Sequence, residues 1–463
     1  MTNFSGYLHI AIIFFVVEIS VIVLTYRRNP RFAIIAILVS MYFKGQYFWI
    51  GRAIYAWQFA AVVGIGYMFL IQWRASGTGV ERTLSTVRNV LVLYFLFTIF
   101  ISVPLWLFFS FEELGEIGTS VSLNRVGTQV VFLLFSLGIS VFGMLGAYYI
   151  SALEFLRVLV IIATVAAYGA ILQVFVATYF FINIFPILGP DNTLRSAYIL
   201  DTTFRATSVV GEPKHLGILM ATGLVCMFLA RLFRARLFRH FGIHAAMAMG
   251  VALLLSLSTS GFVLTLAGLG ALASVYITRL RTIDLIGIGF VALLLATQIA
   301  LDDEGFVSLV LSQLSRAYIE VQDESVRLAL LDNPLLLVTG TGLGNVHLFA
   351  VEFLPDSFPL FRDYGYKANS GLFYVLGDSG IVGLILLAAV PIATFLGYWR
   401  LRSYLNAEQE FEGAIVVALL LIAFVTFLLR YDPIYFFFVG FVYGKLKNIL
   451  AEVQGLPSYQ TNF

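Results

Sequence analysis

Apolar residues fill long blocks of this chain, and polar or charged residues are confined to short breaks between them. The blocks run near 7–26, 32–50, 54–73, 90–109, 128–150, 157–180, 214–230, 241–258, 261–278, 283–300, 371–398, 413–429 and 434–448. Most reach or approach the roughly 17 residues that a membrane-crossing helix needs. The pattern predicts an all-α, polytopic transmembrane bundle of about 12–14 spans. It divides into N-terminal membrane helices over 1–180, further membrane helices with a polar insertion over 181–300, one large non-membrane segment over 301–368, and C-terminal helices with a tail over 369–463.

Composition agrees. With 60% hydrophobic residues, 12% charged and a mean hydropathy of +0.94, a soluble domain of 463 residues would expose large apolar patches. The lone cysteine, Cys226, can form no intramolecular disulfide. Met1 to Gly6 carries no Lys or Arg ahead of the first apolar block, unlike a cleaved signal peptide. Placing the N-terminus outside puts seventeen of the 28 basic residues on the inner side, with Arg231, Arg234, Arg236 and Arg239 as the firmest anchor. The segments 182–213 and 301–368 then face outward, and the C-terminus is cytoplasmic.

Candidate chemistry gathers on that outer side. The stretch from Phe204 to His215 sets charged and hydrogen-bonding groups against the start of a span, which is costly beside hydrocarbon. Pro213 suits a first helical turn, and an apolar run from Leu216 to Ala230 follows. The positive end of that helix faces Arg205, Lys214 and His215, a combination suited to phosphate or diphosphate. An ordinary interfacial loop, with its cations among lipid headgroups, uses the same residues.

In the large segment, Phe306, Val310, Leu314, Ala317 and Val321 recur at helical spacing and predict an amphipathic helix. A second short helix is expected from about Glu324 to Leu331, carrying Arg327 and stopping before Asn333-Pro334. The turn Gly340 to Asn345 lacks the Gly-Lys-Ser/Thr ending of a nucleotide-binding loop; its glycines suit a sharp turn or a close approach to a ligand. Arg362, Tyr366 and Lys367 precede the next span, for which Asn369 or Ser370 is a natural N-cap. Carboxylates at Asp191, Asp201, Glu212, Glu320, Asp323, Glu324 and Asp363 interleave with these cations, a mixture that fits either surface salt bridges or a diphosphate-sugar site. No histidine and cysteine cluster has metal-ligand spacing. Within the spans, Asp378 and Glu18 stand isolated among apolar residues.

In chain order, the pieces are Phe204-Arg205 through Gly211-Glu212-Pro213, then Leu257-Ser258-Thr259-Ser260-Gly261, then Ser325-Val326-Arg327, then Gly340 to Asn345, and last Asn369-Ser370-Gly371-Leu372 running into Gly380 to Leu384. This ordered set, over about 200–385, resembles the O-antigen polymerase and O-antigen ligase superfamily of bacterial envelope enzymes. The resemblance implies a GT-C-like glycosyltransferase of the bacterial inner membrane, working on the periplasmic face without metal, cofactor or nucleic acid. Its donor would be a glycan on undecaprenyl diphosphate, and its further partners membrane lipid, a chain-length regulator and a flippase. Polymerases of this kind pass the glycan to another lipid-linked repeat unit, ligases to lipid A-core.

Carried over by position, Arg205 and Arg327 correspond to arginines that hold the donor diphosphate. Ala368 stands where ligases show histidine before Asn369, and the Gly211-Glu212-Pro213 wording is closer to polymerases. The expected catalytic set is Arg205, Glu212 and Arg327, with Lys214, His215, Arg362, Tyr366, Lys367 and Asn369 binding substrate; His215 and Asp363 are alternative bases. A ligase is the rival within the same chemistry. A transporter or flippase of lipid-linked glycan is the rival from another class, expected to show internal repeats and a polar path through the bilayer.

Overall fold

The computed structural model describes residues 5–43, 47–49, 53–74, 89–90, 92–102, 123–180, 198–199, 203–235, 237–238, 241–280, 321–355 and 368–453. These residues are helical almost throughout. Along the chain come α1 (Ser5–Arg28), α2 (Pro30–Tyr42), α3 (Ala56–Arg74), α4 (Val92–Ser102), α5 (Leu123–Tyr149) and α6 (Ala152–Phe180). Then follow α7 (Pro213–Leu232), α8 (Gly242–Ser256), α9 (Thr259–Val275), α10 (Val321–Asp332), α11 (Pro334–Thr339) and α12 (Val346–Ala350). Last come α13 (Gly371–Leu401), α14 (Ala407–Leu429) and α15 (Pro433–Val453). Two short antiparallel ribbons complete the set: β1 (Tyr47–Trp49) with β2 (Ala53–Tyr55), and β3 (Tyr198–Ile199) with β4 (Thr203–Phe204).

Among the described residues six helices, α5, α6, α7, α13, α14 and α15, are long and apolar enough to cross a membrane. The described residues thus form a predominantly helical chain with the helices of a membrane protein. The apolar block 32–50 departs from expectation: α2 ends after 13 residues, and Tyr47, Phe48 and Trp49 enter the β1–β2 ribbon. Thirteen residues rise only about 20 Å, short of a hydrocarbon core, and consecutive aromatics favour a strand. The block 283–300 and the amphipathic helix expected at 306–321 lie outside the described residues. The second short helix is longer than expected, running Val321–Asp332.

The chain forms two compact units, one of residues 1–59, 149–317 and 407–422, the other of 60–148, 318–406 and 423–463. In the first unit α7 packs among α6, α8 and α9 through small residues. Gly217 lies against Ser258 and the backbone of Gly261, Gly223 against Ala163 and Met249, and Val225 against Gly268. Contacts that advance together on both helices, Gly217 to Gly261 and Val225 to Gly268, make α7 and α9 parallel neighbours that start at the same end. Such close approach needs the missing side chains. A Cβ at Gly261 would sit 2.7 Å from the Gly217 backbone, whereas one at Gly270 on the same helix meets nothing. Gly261→Ala is therefore expected to destabilise by about 1–3 kcal/mol while Gly270→Ala is neutral, as read from melting of the detergent-solubilised protein.

In the second unit α5 and α15 touch backbone to backbone, Gly143 against Phe437 and Phe441, Gly440 against Ser140. The helix α13 breaks at Gly380, whose φ of 62° and ψ of −165° are non-helical. The Gly340–Asn345 turn docks on that break: Thr341 N–H donates to Gly377 O (2.7 Å) and Gly342 N–H to Asp378 O (2.9 Å). Those glycines serve a close approach, and what they approach is the chain's own helix. Asp378 is buried there at 3% exposure, its Oδ1 accepting from Gly344 N–H.

Candidate functional site

The segment 205–212 is irregular backbone, with one 3-10 turn at Ser208–Val210, sunk into the first unit. Ser208, in left-handed backbone (φ 51°), donates through its hydroxyl to the carbonyl of Ala166, the midpoint of the 29-residue α6. That carbonyl lies about 21 Å along the axis from the end of α6 at Phe180. Ala206, Thr207, Ser208 and Val210 are all buried. Irregular backbone at such depth persists only when its polar groups find partners inside the protein. Gln173 of α6 supplies most of them: its Oε1 accepts from Thr207 N–H and Ser208 N–H, both at 2.8 Å, and its Nε2 donates to the Thr207 hydroxyl. Ala206 N–H donates to Leu255 O at the end of α8.

Arg205 enters from this segment and closes the α8–α9 junction. Its Nε donates to Ser256 O and one terminal nitrogen to Leu257 O, both at 3.1 Å. These carbonyls end α8, where a helix exposes unpaired acceptors and negative potential, so a guanidinium fits. Leu257 turns through left-handed backbone, and Ser258 then caps α9 by accepting from Gly261 N–H at 3.2 Å. The Phe204–Pro213 and Leu257–Gly261 motifs, far apart in sequence, thus form one structure. Burial lowers the Arg205 pKa from its usual value.

Glu212 holds the N-cap position of α7 in extended backbone without a side-chain capping bond, and Pro213 opens the helix. Lys214 and His215 follow on the first turn. His215 Nδ1 stands 3.6 Å from a Glu212 carboxylate oxygen, an ion pair when the imidazole is protonated. Arg205, Glu212, Lys214 and His215 therefore share one neighbourhood. The N-termini of α7 and α9 lie side by side there, each equivalent to about half a positive charge. Two helix N-termini, cationic side chains, a carboxylate and an imidazole are thus gathered at one place, the kinds of group that anion binding and proton transfer use.

Arg327 and Asn369 belong to the second unit. Asp323, buried at 5% exposure on α10, accepts from Asn369 N–H at 2.7 Å and from Ser370 N–H at 3.1 and 3.2 Å. Ser370 caps α13 by accepting from Phe373 N–H. The helix start expected to receive a substrate phosphate is thus held by the chain's own carboxylate. One turn beyond Asp323, Arg327 forks onto Glu324, Nε to Oε2 at 2.8 Å and a terminal nitrogen to Oε1 at 2.5 Å. Arg362, Tyr366 and Lys367 lie outside the described residues.

The Arg327 hydrogen bonds hold the Glu324 carboxyl below its usual pKa of 4.5. A depressed carboxyl pKa stabilises the fold above the unfolded value and ceases to do so as pH falls through the folded value. Glu324→Gln is accordingly expected to melt slightly below the wild type at pH 7 and to draw level with it as pH falls below the folded-state pKa, the effect being small for so exposed a pair.

Two residues that organise the site escape a reading by motif. Gln173 is signalled only as a polar residue in an apolar block. Asp323 stands among several carboxylates, and no spacing marks it as the cap of a helix that begins 48 positions later. In comparisons with known proteins, no family model matches the chain and no curated protein matches it.

Proposed function

We propose that this chain is an inner-membrane glycosyltransferase that polymerises undecaprenyl-diphosphate-linked oligosaccharide repeat units on the periplasmic face. The observation that carries the reading is the pair of parallel helix starts, α7 and α9, side by side beside the recessed Arg205. The donor's glycosidic C–O bond to its diphosphate breaks, and the diphosphate leaves carrying the bonding electrons. Arg205, Lys214 and the two helix ends stabilise that negative charge. Glu212 takes the proton of the acceptor sugar hydroxyl as its oxygen bonds the anomeric carbon, and His215 beside it steadies the carboxylate when protonated. A donor-binding role for Arg327 rests on the sequence resemblance alone.

The test is an assay with purified protein and the native repeat unit on undecaprenyl diphosphate, products resolved by size, with and without lipid A-core. A ladder formed from the lipid-linked unit alone supports a polymerase. Transfer only in the presence of lipid A-core would make the protein a ligase, and no product with verified native substrate would return the reading to a transporter.

A further inference from the structure

The opposite end of α7 carries a second feature that the glycan chemistry does not use. Leu224, Met227, Phe228 and Arg231 follow one another at helical spacing and form one wall of a groove. Gly242, Ile243 and Ala246 of the first turns of α8 form the other wall, and Leu269 of α9 the floor. The cavity measures about 490 Å³ and is apolar but for the arginine at its rim. Gly242 contributes to its width, since it places no side chain against Met227. Ile243 is 71% exposed at its edge.

We infer that this groove is a binding site for one acyl chain of an anionic phospholipid, with the headgroup phosphate at Arg231. Three observations select that occupant. The groove is cut into helices of a membrane protein, where the surrounding medium is hydrocarbon and water gains nothing by filling an apolar cleft. Its single charged wall residue, Arg231, lies in the last turn of α7, and the ends of a membrane-crossing helix are where headgroups are met. The connection from Arg231 to Gly242 contains Arg231, Arg234, Arg236 and Arg239 and not one acidic residue, and the nearby Glu410 is paired with Arg279, a basic balance that favours an anionic headgroup over a zwitterionic one. A free fatty acid shares the chain but not the phosphate, and the arms of the test separate the two.

The experiment is lipid analysis, by mass spectrometry of the intact protein, after extensive detergent washing and exposure to equal phosphatidylglycerol, phosphatidylethanolamine and oleic acid. Wild type is expected to retain phosphatidylglycerol at least about tenfold over the other two, a difference of about 1.4 kcal/mol. Ala246→Trp, which fills the groove, and Arg231→Gln are each expected to lose most of that adduct. Arg231→Lys, which keeps the charge, retains part of it, and Ile385→Trp, at a 62% exposed apolar position of α13, leaves it unchanged. Variants are compared only where their melting matches wild type, and Arg231→Lys serves where Arg231→Gln does not fold. Equal retention of all three lipids by wild type, or a phosphatidylglycerol adduct unaffected by Ala246→Trp, would overturn the inference.

Discussion

Replacing Arg205 with alanine is expected to abolish polymer formation and to lower the melting temperature of the purified protein. The structural part follows from the two carbonyls it serves, Ser256 O and Leu257 O, at the buried end of α8. Left unmatched, each costs about 1–3 kcal/mol. The chemical part follows from the diphosphate it is proposed to face, where loss of one positioned donor costs a factor of about 10²–10³ in rate. Arg205→Lys separates the two. A lysine keeps the charge but cannot fork onto both carbonyls in one plane, so partial stability with residual turnover is expected. A folded Arg205→Ala variant that makes polymer at the wild-type rate would remove Arg205 from the chemistry and leave it a helix cap.

The second large effect is expected at Asp323. Its carboxylate receives the backbone N–H groups of Asn369 and Ser370 at the start of the 31-residue α13, while most of its surface is buried. Charge-assisted bonds of this kind contribute about 1.5–3 kcal/mol each, and Asp323→Ala strands both donors beneath α10. Hydrogen exchange at residues 369–373 should accelerate together with a lower melting temperature. Asp323→Asn keeps an acceptor oxygen without the charge and is expected to fall between. Unchanged exchange in the alanine variant would show that another group caps this helix.

Much of the helical plan is legible in the sequence, because a membrane-crossing helix must satisfy its backbone internally and therefore writes itself as a long apolar run. The blocks at 157–180, 214–230 and 413–429 correspond to α6, α7 and α14, and Pro213 and Ser370 mark helix starts by mechanisms that depend only on neighbouring residues. The block 32–50 misleads since hydropathy alone does not distinguish a span from a short helix followed by a ribbon.

Of the candidate site, only the juxtapositions that follow from sequence adjacency are legible. Glu212, Lys214 and His215 fall on one helical turn, so adjacency in sequence brings them together. The role of Arg205 at the end of α8 depends on residues about fifty positions away, and Gln173 reaches Thr207 across 34. Such partnerships arise from how helices pack, which hydropathy does not encode. The likeness of Gly217 to Gly261 becomes informative only once α7 and α9 are known to run parallel.

The central claim is that the lipid diphosphate is held where α7 and α9 begin. Its most direct test is photo-crosslinking of the purified wild-type protein with a lipid-diphosphate analogue of the native repeat unit bearing a photoreactive group beside the diphosphate, followed by mapping of the labelled peptides. Adducts within 205–216 or 256–261, competed by unlabelled undecaprenyl diphosphate, are the predicted result. Labelling confined to other peptides, in a preparation that still forms polymer, would contradict the account.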